Sequence, residues 1–188
     1  PAAGIRIKAA RGRGGVVEDV FVQDVAMGRI TEAAIELATD IPSFVAPNGK
    51  PPTFRNIRIS NITCADARTA VRMEGLADNV LRGITLENVK VNCDEGLHCA
   101  AAQGVHLKNV SIIPRIGPVL SLKDSQEVLI DGLHNANAAG VFLDLRGRQT
   151  RNIRLCGGNG SGTDGKKGGI RPSVVLGVDV PRDALVHE

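Results

Sequence analysis

The chain has 188 residues, with 23 Lys plus Arg against 20 Asp plus Glu (formal charge +3), no Trp, no Tyr and four Phe. That length suits one domain with an aliphatic core; near-balanced charge leaves any hold on polyanions to local clustering, and scarce aromatic rings argue against a single-stranded nucleic-acid groove. No run approaches the ~18 apolar residues of a membrane span, no basic-then-apolar leader precedes the first element, and the chain starts at Pro1, as a processed form or a piece of a longer protein would. The first predicted element is Ile5 to Lys8. As a strand it sends Ile5 and Ile7 to one face and Arg6 and Lys8 to the other. Gly12, Gly14 and Gly15 then supply the backbone freedom for a sharp turn before Val16 and Val17.

From Val16 onward the chain repeats itself. Six segments centre on Val20, Ile57, Ile84, Val105, Val128 and Ile153, at intervals of 37, 27, 21, 23 and 25 residues. Two residues past each centre stands a second aliphatic: Val22, Ile59, Leu86, Leu107, Ile130 and Leu155. Four residues past it stands Asp24, Asn61, Asn88, Asn109, Gly132 or Gly157, residue types that tolerate left-handed backbone or cap a turn. An aliphatic returns one residue later at Val25, Ile62, Val89, Val110 and Leu133, and fails at Gly158. Short strands separated by an Asn or Gly bend at this period predict the coils of an all-β, single-stranded, right-handed parallel β-helix, roughly six to seven of them. In such a stack aliphatic rows fill the interior, and the Asn row can form an amide ladder along the axis. Second strands are expected at Val71 to Met73, Val119 to Leu122 and Val141 to Leu145. A leucine-rich repeat is the competing fold, but its Leu-x-x-Leu-x-Leu signature is missing.

The predicted organisation is coils over residues 1–156, with a Pro- and Gly-bearing loop at about 38–53, a Gly-rich linker at 157–169 and terminal strands at 170–188 that cover the carboxy end. The amino end has no evident cap, so self-association through it is expected.

Other motifs have plain readings. Gly160, Gly165 and Lys166 have the spacing of a phosphate-cradling loop, but Lys167 replaces the required Ser or Thr and no helical pattern follows, so a linker is expected. Arg11 to Gly15 is a single Arg-Gly copy without aromatics and reads as a turn. Two of the three glycosylation triplets, beginning at Asn61 and Asn109, fall in the turn row; the third begins at Asn159. Cys64, Cys93, Cys99 and Cys156 form no Cys-x-x-Cys pair and read as buried thiols, with a Cys93–Cys99 bridge as the minority alternative. His98, His106, His134 and His187 have no Ser or Cys partner legible from spacing. No metal or other cofactor is expected.

Taken together, Gly4-Ile5-Arg6-Ile7-Lys8, Gly12-Arg13-Gly14-Gly15 and coils carrying Arg55-Asn56-Ile57, Gly117-Pro118-Val119-Leu120 and Thr150-Arg151-Asn152-Ile153 resemble glycoside hydrolase family 28, the polygalacturonases and related pectinases. The resemblance runs the length of the chain, and the Arg-Ile-Lys element is its specific part. It implies that Arg6 and Lys8 bind the carboxylate of a galacturonate unit, that acidic polysaccharide (polygalacturonate or pectin) is the partner, and that the protein is secreted or periplasmic. The family's inverting hydrolysis uses aspartates in Asn-Thr-Asp and Asp-Asp motifs with a Gly-His-Gly, all placed before Arg-Ile-Lys. None of the three occurs in this chain, nor the tyrosine that usually follows. The expectation is therefore the carboxy-terminal half of a pectin-degrading hydrolase, inactive alone, with substrate-binding residues Arg6 and Lys8 and no catalytic residue of its own. A non-catalytic polysaccharide-binding module using Arg6, Lys8, Arg11 and Arg13, or a decayed structural remnant, are the alternatives.

Overall fold

The computed structural model describes residues 1–39, 49–134, 141–156 and 173–187. These residues are all-β, with no helix, in one parallel sheet. The strands are β1 (Ile5–Lys8), β2 (Val16–Ala38), β3 (Thr53–Glu74), β4 (Leu81–Ala100), β5 (Ala102–Lys123), β6 (Gln126–His134), β7 (Leu143–Arg146), β8 (Arg151–Cys156), β9 (Val174–Leu176) and β10 (Leu185–His187). At about 3.3 Å per residue a straight strand of 22 residues such as β3 would run roughly 70 Å, far beyond the width of a small domain. These strands instead bend, each over or under its neighbour, as in a parallel β-helix.

The bends sit where the backbone takes positive φ. Asp24, Asn61, Asn88, Asn109 and Gly132 have φ of 60°, 56°, 53°, 51° and 72°, so these five members of the predicted turn row form a column of left-handed residues, and the sixth, Gly157, lies outside the described residues. A second column, not foreseen, lies five residues earlier: Asp19, Asn56, Gly83, Gly104, Glu127 and Asn152, with φ between 54° and 69°. Between the two columns lies the segment that carries the predicted centres. Val20, Ile57, Ile84, Val105, Val128, Ile153 and Leu185 are successive register partners, so all six centres stack and the carboxy-terminal β10 adds a seventh position. The ladder hydrogen bonds continue round the corners. For that reason the short strands read from the sequence merge into strands of 20 to 23 residues in β2 through β5.

A second stack closes the other side of the core: Ile5, Ile35, Val71, Leu97, Leu120, Leu143 and Val174. It contains the second strands expected at Val71 and Val119, while the third begins at Leu143, two residues later than expected. Most of these side chains, including Ile59, Leu86, Leu97, Leu107 and Leu120, are fully buried. On β2 the inward Val17, Val20, Val22, Val25 and Met27 are only partly buried, because β1 covers just the Ile35–Ala38 part of that strand. The remaining outer edge of β2, from Val16 to Ile30, has no strand against it among the described residues.

The amide ladder is present. The Asn61 side chain donates to Asp24 Oδ1 at 2.9 Å, Asn88 to Asn61 at 3.1 Å, and Asn109 to Asn88 at 2.7 Å. Gly132 ends it. Most of the loop expected at 38–53, and all of the linker, fall outside the described residues.

Candidate functional site

β1 is placed by close backbone contact. A Cβ on Gly4 would lie 2.2 Å from Met27 Sδ and 2.4 Å from the Ala34 carbonyl oxygen, so only glycine lets the strand settle onto β2. Gly4 and Ala9 amides then donate to Ala33 and Ala38 carbonyls at 3.1 and 3.0 Å, which bracket Ile5–Lys8. With that register Ile5 and Ile7 pack on the core while Arg6 and Lys8 point outward.

Arg6 does not stand alone. Its Nη2 pairs with Glu32 and its Nε with Glu36. The hydrogen bond that the guanidinium donates to Glu32 is the main influence raising its pKa; partial desolvation opposes it and Glu36 reinforces it. Glu36 is 5% exposed and also meets Arg72 Nη1 at 3.5 Å, so a nearly buried carboxylate is clasped between two guanidiniums. The Lys8 side chain makes no ion pair or hydrogen bond among the described residues.

The outward face is organised as rows. Arg6, Glu36, Arg72, His98, Ser121 and Asp144 are successive register partners, and so are Lys8, Ala38, Glu74, Ala100, Lys123 and Arg146. His98 and Ser121 therefore face each other across β4 and β5, a proximity hidden by their separation in the chain. His98 Nε2 is 3.7 Å from Glu95 Oε2, to which Thr69 Oγ1 donates at 3.4 Å. The buried His98 Nε2 and Asp144 Oδ1 have no hydrogen-bond partner, although Asp144 Oδ2 accepts from Arg146 Nε at 3.0 Å. This is a mixed-charge face, and Lys8, on β1, is a cation of it whose side chain has no partner among the described residues. A groove of about 710 Å³ follows the next corner, floored by Gly75, Ala100, Ala101 and Gly147 and flanked by Lys123 and Arg148.

The other sequence motifs have local explanations. Gly12, Gly14 and Gly15 have φ of 91°, 59° and 82°, and the Gly12 and Gly14 amides both donate to the Lys50 carbonyl, so this stretch is a turn. Arg11 pairs with Asp78 at 2.5 Å, which holds that carboxyl below its usual range. The Asn61 and Asn109 amides are engaged in the ladder. None of the four cysteines is in a disulfide: Cys64, Cys93 and Cys99 are buried, Cys156 is half-buried, and the Cys93–Cys99 bridge is not formed. Burial pushes the Cys93 and Cys99 thiols up to about 12. Gly160 to Lys167 and Asn159 lie outside the described residues. Among the described residues no three of His, Cys, Asp and Glu gather as a metal site, and no helix is long and apolar enough to cross a membrane. Comparison with family models, with curated proteins and with solved structures finds no match for this chain.

Proposed function

We propose that this chain is the carboxy-terminal portion of a polygalacturonase-like pectin hydrolase, folded as a right-handed parallel β-helix of roughly six to seven coils. The observation that carries this reading is the outward pair Arg6 and Lys8 on a rim strand, at one end of a continuous polar row. A guanidinium can bind a carboxylate at two points and an ammonium adds a movable point charge, which together suit a uronate unit. The edge of β2 from Val16 to Ile30, which has no strand against it among the described residues, would accept a further coil, on which the acid and base of an inverting mechanism would sit about 6.5–9.5 Å apart. The chain itself supplies binding and support. Its partner is an acidic polysaccharide, and export follows from a substrate of that kind.

The engagement of Arg6 by Glu32 and Glu36 favours a second reading, a non-catalytic module that holds acidic polysaccharide mainly through Lys8 and its neighbours. Two measurements separate the possibilities. Incubation with polygalacturonate should release no reducing ends from this chain alone, and measurable turnover would overturn the division of labour proposed here. Retention on immobilised polygalacturonate should be salt-sensitive and lost in the Arg6→Ala/Lys8→Ala double variant. Undiminished retention in that variant would remove Arg6 and Lys8 from the site under either reading.

A further inference from the structure

A different outward row, on the segment between the two left-handed columns, carries an unassigned set of side chains. Phe21, Arg58, Thr85 and His106 are successive register partners on β2, β3, β4 and β5. At the sheet spacing of about 4.8 Å per strand they span roughly 14 Å along the axis. The first three line a groove of about 320 Å³, together with the corner residues Asn56 and Gly83.

Phe21 and His106 are unusual for a surface with only structural duties, and Arg58 places an exposed charge between them. Phe21 is 69% exposed, in a chain whose Phe54 and Phe142 are both buried. The Arg58 side chain is exposed and makes no ion pair or hydrogen bond among the described residues, as is also true of Arg13, Arg68, Arg148, Arg151 and Arg182, but of these only Arg58 stands beside an exposed aromatic ring in the lining of this groove. The carboxylate of the adjoining row, Glu87, pairs with Lys108 at 2.9 Å; Arg58 acts on it through charge alone and keeps its guanidinium donors free of a side-chain partner among the described residues. His106 Nε2 is buried without a hydrogen-bond partner, and a buried polar atom of that kind is costly unless something completes it.

We infer that this row is a second glycan site, separate from Arg6 and Lys8, which takes a uronate-containing di- or trisaccharide laid along the axis. The exposed ring of Phe21 packs against the C–H face of one sugar. Arg58 receives that sugar's or its neighbour's carboxylate in a two-point contact. Thr85 then meets the ring hydroxyls, and the His106 ring, next along the row, senses the bound sugar. A neutral oligosaccharide would keep the packing and the hydroxyl contacts but lose the charge-assisted pair. The site shares its ligand class with the reading above and not its residues, so the two can fail separately.

The test is a titration of the ¹⁵N-labelled chain with trigalacturonate, and with neutral trigalactose as control, read from backbone amides and imidazole nitrogens. Expected are shifts at Phe21, Arg58 and Thr85 and on the His106 ring, about tenfold tighter for the acidic trisaccharide, a factor worth 1.4 kcal/mol. Phe21→Ala and Arg58→Gln, both on exposed side chains, should each weaken binding about tenfold without changing the far-ultraviolet circular dichroism. Arg6→Gln with Lys8→Gln should leave these shifts in place. Shifts confined to the Arg6–Lys8 face would overturn the second site and keep the first. Equal binding of the neutral sugar, an Arg58→Gln variant that binds as tightly as the parent, or no shift along the row would each refute the assignment.

Discussion

Asn88 gives the sharpest test of how the coils are held in register. Its amide donates to Asn61 and its carbonyl accepts from Asn109, at 3.1 and 2.7 Å, while its backbone sits at φ 53°. Replacing it by Ala removes two hydrogen bonds, each contributing about 0.5–1.5 kcal/mol and toward the lower end on an exposed corner. The same change places a residue without a local polar side chain in left-handed backbone, at a cost of about 1–2 kcal/mol. The expected destabilisation is therefore about 2–4 kcal/mol for Asn88→Ala. Asn88→Gly loses the hydrogen bonds but not the conformational fit, and should lie about 1 kcal/mol closer to the parent. With no Trp or Tyr in the chain, urea unfolding is best followed by far-ultraviolet circular dichroism. Identical midpoints for the Ala and Gly variants would show that the left-handed corner carries no penalty, and an Ala variant indistinguishable from the parent would dispose of the ladder as a stabilising feature.

Leu86 is fully buried between Ile59 and Leu107, so Leu86→Ala should cost about 2–5 kcal/mol in the same assay, and a loss below 1 kcal/mol would mean that the interior is not close-packed there. The Cys99 thiol offers a pH test: below its ordinary pKa of 9.0 both folded and unfolded chains keep the proton, but between there and about 12 only the unfolded chain ionises. Stability should therefore fall as pH rises through that window, with a slope of up to about 1.4 kcal/mol per pH unit for this group, and Cys99→Ala should flatten the fall; an unchanged slope in the variant would contradict the assignment. The open edge of β2, with Val16 55% and Phe21 69% exposed, should drive concentration-dependent association that Val22→Lys suppresses, and light scattering from a strict monomer at high concentration would contradict it. Glu32→Gln should strengthen salt-sensitive retention on polygalacturonate, because it removes a competing carboxylate from Arg6; weaker retention would mean that Glu32 orients Arg6 for the ligand.

The stacked rows were legible because two local signals coincide. Inward aliphatics must recur at a spacing of two, and a corner needs Asn, Asp or Gly at fixed distance, so centres and bends both show in one dimension. The second corner column, unforeseen from the sequence, uses the same residue types at Asp19, Asn56, Gly83, Gly104 and Asn152, but Glu127 interrupts it with a residue not expected at φ 54°. The outward rows were not legible. Glu32 reaches Arg6 from 26 residues away, and that meeting depends on β1 pairing with the far end of β2 rather than with its start. His98, Ser121 and Asp144 align only once the coil lengths between them are known. Inward residues announce themselves by hydrophobicity, whereas the polar face obeys no composition rule and is specified only through register.

That dependence on register has a consequence for function. In a stack of this kind a side chain's neighbours above and below come from other coils, so one charge on one coil is tuned by residues tens of positions away. Glu36 illustrates it: held between Arg6 and Arg72, it fixes the guanidinium of Arg6 from below while Glu32 takes another edge. An Arg read in isolation as a carboxylate receptor is therefore already half-satisfied by its own fold, and the balance passes to Lys8, which has no such partner among the described residues. Arg58 is the reverse case. Its neighbours in the row are a ring and a hydroxyl, and the carboxylate it feels, Glu87 of the adjoining row, is already paired with Lys108. By that reasoning the two faces differ in how they would hold an acidic glycan: one through an ammonium beside an internally balanced charge ladder, the other through an exposed guanidinium, without an ion pair, in the lining of a groove.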